Sequence, residues 1–207
     1  MQDRITRGLR SLLSALALLF WPGAACGQVA EISVTGGSST FANHGEIGSL
    51  SLEPQPVANQ DTVYLDSGWR IAVRFTINNW EFFGNEFGYA YNRTAVHYAS
   101  VYQDMAVHQG FYNFLVYATR EGHWFRPYVT GGGHFSNFVP PGASVTAGQG
   151  DNQFGFNYGG GVKFRVALMW AIRLDFREYL TGKPFDLPQQ EGWLQHREIA
   201  GGIAFVF

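Results

Sequence analysis

Apolar and charged side chains alternate residue by residue in residues 170–180 (WAIRLDFREYL). The even positions up to Phe176 are apolar, whereas Arg173, Asp175 and Arg177 occupy odd positions. Successive side chains of a β-strand point to opposite faces, whereas a helix would spread these charges around its surface. The segment is therefore predicted to be a strand with one apolar face and one charged face.

The same two-residue period recurs along the chain and predicts eight strands. They are expected at residues 30–41, 68–78, 80–93, 106–119, 123–137, 152–165, 169–181 and 194–207. Short connections alternate with long ones, and the long ones lie at residues 42–67, 94–105, 138–151 and 182–193. An even number of strands, with short turns at one end and long loops at the other, is typical of outer-membrane barrels. We therefore predict an all-β fold, an eight-stranded antiparallel up-and-down transmembrane β-barrel formed by residues 28–207.

The positions of glycine distinguish this prediction from a soluble β-sandwich or a lipocalin-type barrel. Gly159 and Gly161 fall on the same face as Lys163 and Arg165. Glycine on a solvated face would only weaken a strand, whereas small residues inside a narrow eight-stranded barrel leave space for long side chains to cross it. The charged face is therefore predicted to line the lumen, and the apolar face to contact lipid.

Composition agrees with a β-structure and narrows the range of partners. Aromatic residues make up 16% of the 207 residues, charged residues only 14%, and 26 residues are glycine. This composition favours strands over helices. The formal net charge of -2 and the lack of a basic patch argue against nucleic acid as a partner. No set of His, Cys, Asp and Glu has the spacing of a metal site, so we expect neither a metal nor another cofactor.

Residues 1–27 have the pattern of a secretory signal peptide. Arginines near the start of the chain precede the apolar residues 12–21 (LLSALALLFW) and a stretch of small residues. Because a membrane-spanning helix needs about 20 residues, this apolar stretch is too short to cross a bilayer. Cleavage is predicted after Gly27, with cleavage after Ala25 and lipidation of Cys26 as alternatives.

Several segments resemble the small outer-membrane β-barrel superfamily, the OmpA-like transmembrane domain. They are RPYVTGGG (126–133), FGFNYGGGVKFR (154–165) and WAIRLDFREYLTG (170–182). The end of the chain, with Ile203, Phe205 and Phe207 at alternate positions, resembles the β-signal that barrel assembly machinery recognises. The resemblance implies a bacterial outer membrane, contact with its lipids including lipopolysaccharide, and that machinery as a partner. It implies no single function, since the superfamily holds structural proteins, adhesins, pores and a few enzymes.

The predicted lumen face carries charges that we expect to pair with one another. They are Arg70, Arg74, Glu86, Arg126, Lys163, Arg165, Arg173, Asp175, Arg177 and Glu198. An unpaired charge in a narrow lumen is costly, so these side chains are expected to form an ion network that closes the barrel. The alternative is a narrow pore that prefers anions, because cations outnumber carboxylates in this set.

Residues 133–137 (GHFSN) resemble the His-x-Ser-Asn motif of outer-membrane lipid A deacylases. That resemblance implies His134 as general base and Ser136 as nucleophile. The chain departs from the motif, since residues 147–150 (AGQG) stand where that family has an orienting Glu. His134 and Ser136 also share a face with Arg126, which is predicted to line the lumen rather than to meet a lipid substrate. We therefore expect no catalytic residues and no enzymatic activity, with the hydrolase as an alternative.

The sequence thus predicts a non-enzymatic outer-membrane barrel with a structural or surface-interaction role. Segment 42–67 is expected to be a variable solvated loop. Together the long loops form the surface available to an extracellular partner.

Overall fold

The computed structural model describes residues 29–50, 61–143 and 150–207 of the chain. No helix in these ranges is long and apolar enough to cross a membrane. The described residues form ten strands and a 3-10 turn at Asn43–Gly45. The strands are β1 (Val29–Phe41), β2 (Glu46–Leu50), β3 (Asp61–Leu65), β4 (Gly68–Trp80), β5 (Phe83–Tyr98), β6 (Val101–Tyr117), β7 (Phe125–Val139), β8 (Asp151–Arg165), β9 (Trp170–Thr181) and β10 (Leu194–Val206). The predicted signal peptide, residues 1–27, and its alternative cleavage sites lie outside the described residues.

Eight of these strands close into an antiparallel barrel. Their spatial order is β1, β4, β5, β6, β7, β8, β9 and β10, and β10 pairs with β1 to complete the circle. This last pairing reaches the end of the chain, because the backbone amide of Phe207 donates to the carbonyl oxygen of Ala30 at 2.9 Å. The barrel wall therefore has no unpaired edge. The predicted eight-stranded barrel is confirmed.

The connections distinguish two ends of the barrel. At the turn end, β1 begins, β10 ends, and neighbouring strands are joined through residues 81–82, 118–124 and 166–169. The loop end carries the described residues 42–50, 61–67, 99–100, 140–143, 150 and 182–193. The described parts of the predicted long segments therefore share one end, as predicted. The lengths differ from the prediction at two places, because residues 99–100 form a short turn at the loop end and residues 118–124 a longer connection at the turn end.

The two faces of the barrel wall carry opposite chemistry. On β4, Ile71 and Val73 point outward and are about half exposed, whereas Arg70 and Arg74 point inward and are buried. The same arrangement holds on β9, where Ile172 and Leu174 face outward. Charged side chains thus occupy the lumen, and an apolar belt surrounds the barrel.

Two of the predicted long loops contain more strand than the sequence pattern indicates. Strands β5 and β6 extend into the predicted loop 94–105 and leave only Ala99 and Ser100 between them. In the predicted loop 42–67, β2 pairs with β3, and β3 continues the sheet by pairing with β5, with Leu65 opposite Val96. The expectation that 42–67 is simply a solvated loop is therefore wrong. The charge alternation that marks the other strands is lost here, because the inward residues at this end are apolar.

Those inward residues form a hydrophobic cluster over the loop end, which we call the apolar cap. Its buried members are Ile47, Val63, Leu65, Met105, Val107, Phe138 and Leu194. Leu187 packs against this cluster from segment 182–193, and the amide of Ser49 in β2 donates to Pro188 O of the same segment at 3.0 Å. The β2–β3 hairpin and segment 182–193 therefore pack together above the charged lumen.

Candidate functional site

Charged side chains from six strands meet inside the barrel and form one connected set, which we call the lumen network. Its members are Glu31, Arg70, Arg74, Glu86, Lys163, Arg173, Asp175, Arg177 and Glu198, five cations and four carboxylates. All of them are buried. Charges of this kind are tolerated away from water only when they are paired and hydrogen-bonded.

Asp175 and Glu86 form the centre of the lumen network. Asp175 on β9 contacts its strand neighbours Arg173 at 2.7 Å and Arg177 at 3.2 Å, and Arg74 from the opposite wall at 3.1 Å. Glu86 on β5 contacts Arg173 at 2.6 Å and Arg177 at 2.7 Å. Each central carboxylate thus bridges several guanidinium groups, and the bridges join β4 and β5 to β9 across the lumen.

The other two carboxylates extend the network towards both ends of the barrel. Towards the loop end, Glu198 contacts Arg74 at 2.7 Å and Arg70 at 3.1 Å. Towards the turn end, Glu31 contacts Lys163 at 2.7 Å. The ion pairs therefore continue along the barrel axis rather than forming a single ring.

Aromatic side chains complete the coordination of these charges. The hydroxyl of Tyr128 donates to Asp175 at 2.5 Å, and that of Tyr179 donates to Glu198 at 2.8 Å. Lys163 donates to the hydroxyl of Tyr117 at 3.0 Å. The ring of Phe111 lies within 6.0 Å of the guanidinium carbons of three arginines. Hydroxyl donors and ring faces thus provide polar contacts that water would otherwise supply.

Glycine provides the space that these long side chains occupy. A Cβ atom on Gly88 would lie 2.2 Å from the ring of Phe111, and one on Gly161 would lie 2.5 Å from the hydroxyl of Tyr128. Both residues face the lumen beside the network. Any larger residue at either position would therefore displace an aromatic side chain that contacts the buried charges.

Two predicted members of the lumen set lie apart from the network. Arg126 pairs with Glu121 at 2.6 Å near the turn end, and its guanidinium lies 3.6 Å from the ring centroid of Tyr117. Arg165, at the last position of β8, is partly buried and has no ion pair with any described residue. The other predicted charges, from Arg70 to Glu198, lie together in the network.

Glu31 belongs to the network but is not among the charges predicted from the alternation. Apolar and polar residues alternate only weakly in β1, so the pattern gave little indication of which of its side chains face the lumen. Two features pointed to this residue: it precedes the outward-facing Ile32, and the predicted set had more cations than carboxylates. A surplus of buried cations requires a further carboxylate, and Glu31 lies on the inward face of the strand that pairs with β10.

Polar side chains lie beside the apolar cap on the lumen side, among them Gln109, Thr181 and the residues of the hydrolase alternative, His134 and Ser136. His134 bonds to Thr181 Oγ1 at 2.7 Å, and Ser136 accepts from Gln109 at 3.0 Å. No hydrogen bond joins His134 to Ser136, and Nδ1 of His134 has no partner among the described residues. A nucleophile that is activated by a base requires such bonds. His134 and Ser136 are therefore not hydrogen-bonded to each other as a base and its nucleophile.

The residues that resemble a β-signal lie on the outer wall at the turn end. Ile203 and Phe207 are exposed, and the ring of Phe205 packs edge-on against Trp170 with centroids 5.2 Å apart. Trp80 and Trp124 are also exposed at this end. The aromatic side chains among them form part of a girdle of the kind that flanks the apolar band of membrane barrels.

Within residues 29–50, 61–143 and 150–207, no three His, Cys, Asp or Glu side chains are grouped as metal ligands.

Comparison with known proteins identifies the family and the fold. The family model described as "Outer membrane protein beta-barrel domain" matches residues 11–207. Among solved structures, Neisserial surface protein A (NspA) is 9% identical with a TM-score of 0.56, and the match covers 89% of this chain and 100% of that protein. OprG from Pseudomonas aeruginosa is 13% identical with a TM-score of 0.54, covering 87% and 97% respectively. AlkL is also 13% identical, with a TM-score of 0.56 and coverage of 90% and 95%. No curated protein matches the sequence.

Proposed function

The chain belongs to the outer-membrane β-barrel family, and we propose that it is a non-enzymatic barrel with a structural or surface-interaction role and a closed lumen. The burial of the lumen network carries this proposal. Arg74, Arg173 and Arg177 are 0% exposed, and their carboxylate partners extend from opposite walls. A continuous water-filled channel would hydrate these groups and remove the need for so many direct ion pairs.

The closed lumen suits a barrel that acts through its surfaces. In this proposal the turn end faces the periplasm, and the loop end faces the exterior with the β2–β3 hairpin and segment 182–193. Outer-membrane lipids, including lipopolysaccharide, surround the apolar belt. The barrel assembly machinery reads the last strand through Ile203, Phe205 and Phe207, and an extracellular partner binds at the loop end.

Recordings from planar lipid bilayers test the closed lumen. Purified, folded protein is expected to give no steady single-channel steps, because the buried ion pairs obstruct the barrel axis. Heat-modifiable gel mobility of the same sample verifies that the barrel is folded. Steady conductance steps from folded protein would contradict the proposal.

The charge surplus of the lumen network supports a second candidate, a narrow pore that prefers anions. The network contains five cations and four carboxylates, and a surplus of arginine or lysine favours anions in a pore. This candidate predicts steady steps whose anion preference is weakened by Arg177→Glu. Steps that persist with unchanged selectivity in that variant would exclude the lumen network as the selective element.

The absence of enzymatic activity has a separate test. Cells that express the protein are expected to have unaltered lipid A in mass spectra, because His134 and Ser136 bond to different partners. Loss of acyl chains from lipid A, abolished by Ser136→Ala, would establish the hydrolase instead.

A further inference from the structure

An apolar groove of about 600 Å³ runs across β6, β7 and β8 on the outer wall of the barrel. Gly110 and Gly133 lie in its floor. Its walls are aromatic and are formed by Tyr112, Phe135, Phe154, Phe156 and Trp193. The volume falls in the range of roughly 300–1,000 Å³ that is usual for ligand-binding clefts.

The glycine floor of the groove is open to the outside. A Cβ atom on Gly110 would meet no atom within 4 Å, and one on Gly133 would come no nearer than 3.9 Å to Gly155 O. Glycine within a strand weakens it and often marks a bulge, a tight bend, or a place where a ligand or another backbone approaches closely. The groove is thus a space that larger residues would fill without a clash.

A polar cleft of about 790 Å³ adjoins this groove at the loop end. It is lined by charged and amide side chains, among them Glu46, Lys183 and Glu191. Trp193 lines both spaces, and its ring centroid lies 6.1 Å from that of Phe156 in the groove. The apolar groove and the charged cleft therefore meet at Trp193.

We propose that the groove and the cleft are one binding site for a zwitterionic phospholipid, with an acyl chain in the groove and the headgroup in the cleft. The groove is continuous with the exposed apolar belt, which contacts acyl chains in the proposed function. The change from apolar to polar lining at Trp193 matches an amphiphile at the membrane interface, where tryptophan is enriched.

The charges of the cleft select the headgroup. Lys183 complements a phosphate, whereas Glu46 and Glu191 complement an ammonium group and disfavour a purely anionic head. The site rests on the proposed membrane position of the barrel but not on its closed lumen. Failure of the conductance test would therefore leave this inference intact.

Native mass spectrometry tests the site with phosphatidylethanolamine and phosphatidylglycerol as competing probes. The full barrel is incubated with an equal mixture of both lipids in detergent and is then exchanged into lipid-free detergent. Wild-type protein is expected to retain one phosphatidylethanolamine. Gly133→Leu is expected to lower the retained fraction by about tenfold, because the new side chain occupies the space of the acyl chain.

Gly131→Leu is the matched control, since Gly131 is also an outward-facing glycine of β7 and does not line the groove. A Cβ atom there would come no nearer than 3.8 Å to Asn157 O, so the added side chain fits equally well. Gly131→Leu is expected to retain lipid as the wild type does, and heat-modifiable mobility verifies that both variants fold. The proposal is overturned if wild-type protein retains no lipid, if Gly133→Leu retains as much as Gly131→Leu, or if phosphatidylglycerol is retained at least as well as phosphatidylethanolamine.

Discussion

The middle of the barrel and the apolar cap above it bury opposite kinds of side chain. In the middle, Arg74 and Glu86 are fully buried while Ile71 faces outward. At the loop end, Met105 and Val107 point inward on β6 and are buried in the cap. Strand geometry is the same in both regions, so the backbone does not explain the difference.

The surroundings of each region explain which side chains it buries. Lipid around the middle offers no hydrogen bonds, so apolar side chains lie outward and charges are satisfied inside by one another. Water surrounds the loop end, so apolar side chains are buried inside there, as they are in soluble proteins. Electrostatic pairing therefore holds the middle of the barrel, whereas hydrophobic burial holds the cap.

The largest expected effect comes from removing a central carboxylate of the lumen network. Glu86→Ala should destabilise the barrel by ~3–5 kcal/mol, because it leaves Arg173 and Arg177 buried without that partner. Urea unfolding followed by tryptophan fluorescence measures the change. Glu81→Ala is the control, since Glu81 pairs with Arg120 where both are exposed, and it should have little effect. Equal unfolding midpoints for the two variants would refute the electrostatic account.

Truncation of a side chain in the apolar cap should lower the free energy of unfolding by a similar or smaller amount. The effect should be confined to the loop end. Leu65→Ala removes a buried side chain of the cap and should destabilise by ~2–5 kcal/mol through lost burial and a cavity. We expect faster proteolysis at the loop end while heat-modifiable mobility of the barrel is retained. Loss of that mobility together with the cap would mean that the two regions unfold as one unit.

Placing a charge on the outer wall tests whether lipid surrounds the middle of the barrel but not the loop end. Leu174→Arg should destabilise the folded barrel by ~2–4 kcal/mol, because Leu174 faces outward near the middle of β9 and a charge there would contact lipid. Tyr102→Arg places the same charge at an exposed position of the loop end and should be tolerated. Folding into lipid vesicles at graded urea concentrations compares the two variants, and equal tolerance would argue against lipid contact at Leu174.

The smallest effect is expected at an ion pair in the loop-end region. Arg93 and Asp104 pair across β5 and β6 with both side chains at least half exposed. Arg93→Ala should leave stability nearly unchanged, and any small difference should disappear in high salt, because water and ions screen exposed charges. A salt titration of the unfolding midpoint checks this, and a loss comparable to that of Glu86→Ala would remove the distinction between buried and exposed pairs.

The strands and their two faces could be predicted because the signal is local. Arg173, Asp175 and Arg177 alternate with apolar neighbours within one strand, so their shared face follows from the two-residue period. The period alone does not exclude Arg165, which shares the face of Lys163 and yet lies outside the network. Position along the barrel axis, rather than the face, separates these two residues.

Alternation within the strands was enough to predict a barrel with apolar residues outside and charged residues inside. The folded barrel sets which charges meet, since Arg74 reaches Asp175 across the lumen only through the register of several intervening strands. It also decided the cap and the groove at Gly133, which combine segments far apart in the chain. The physical reason is that alternation is a property of one strand, whereas contacts across a closed barrel depend on how all its strands are aligned.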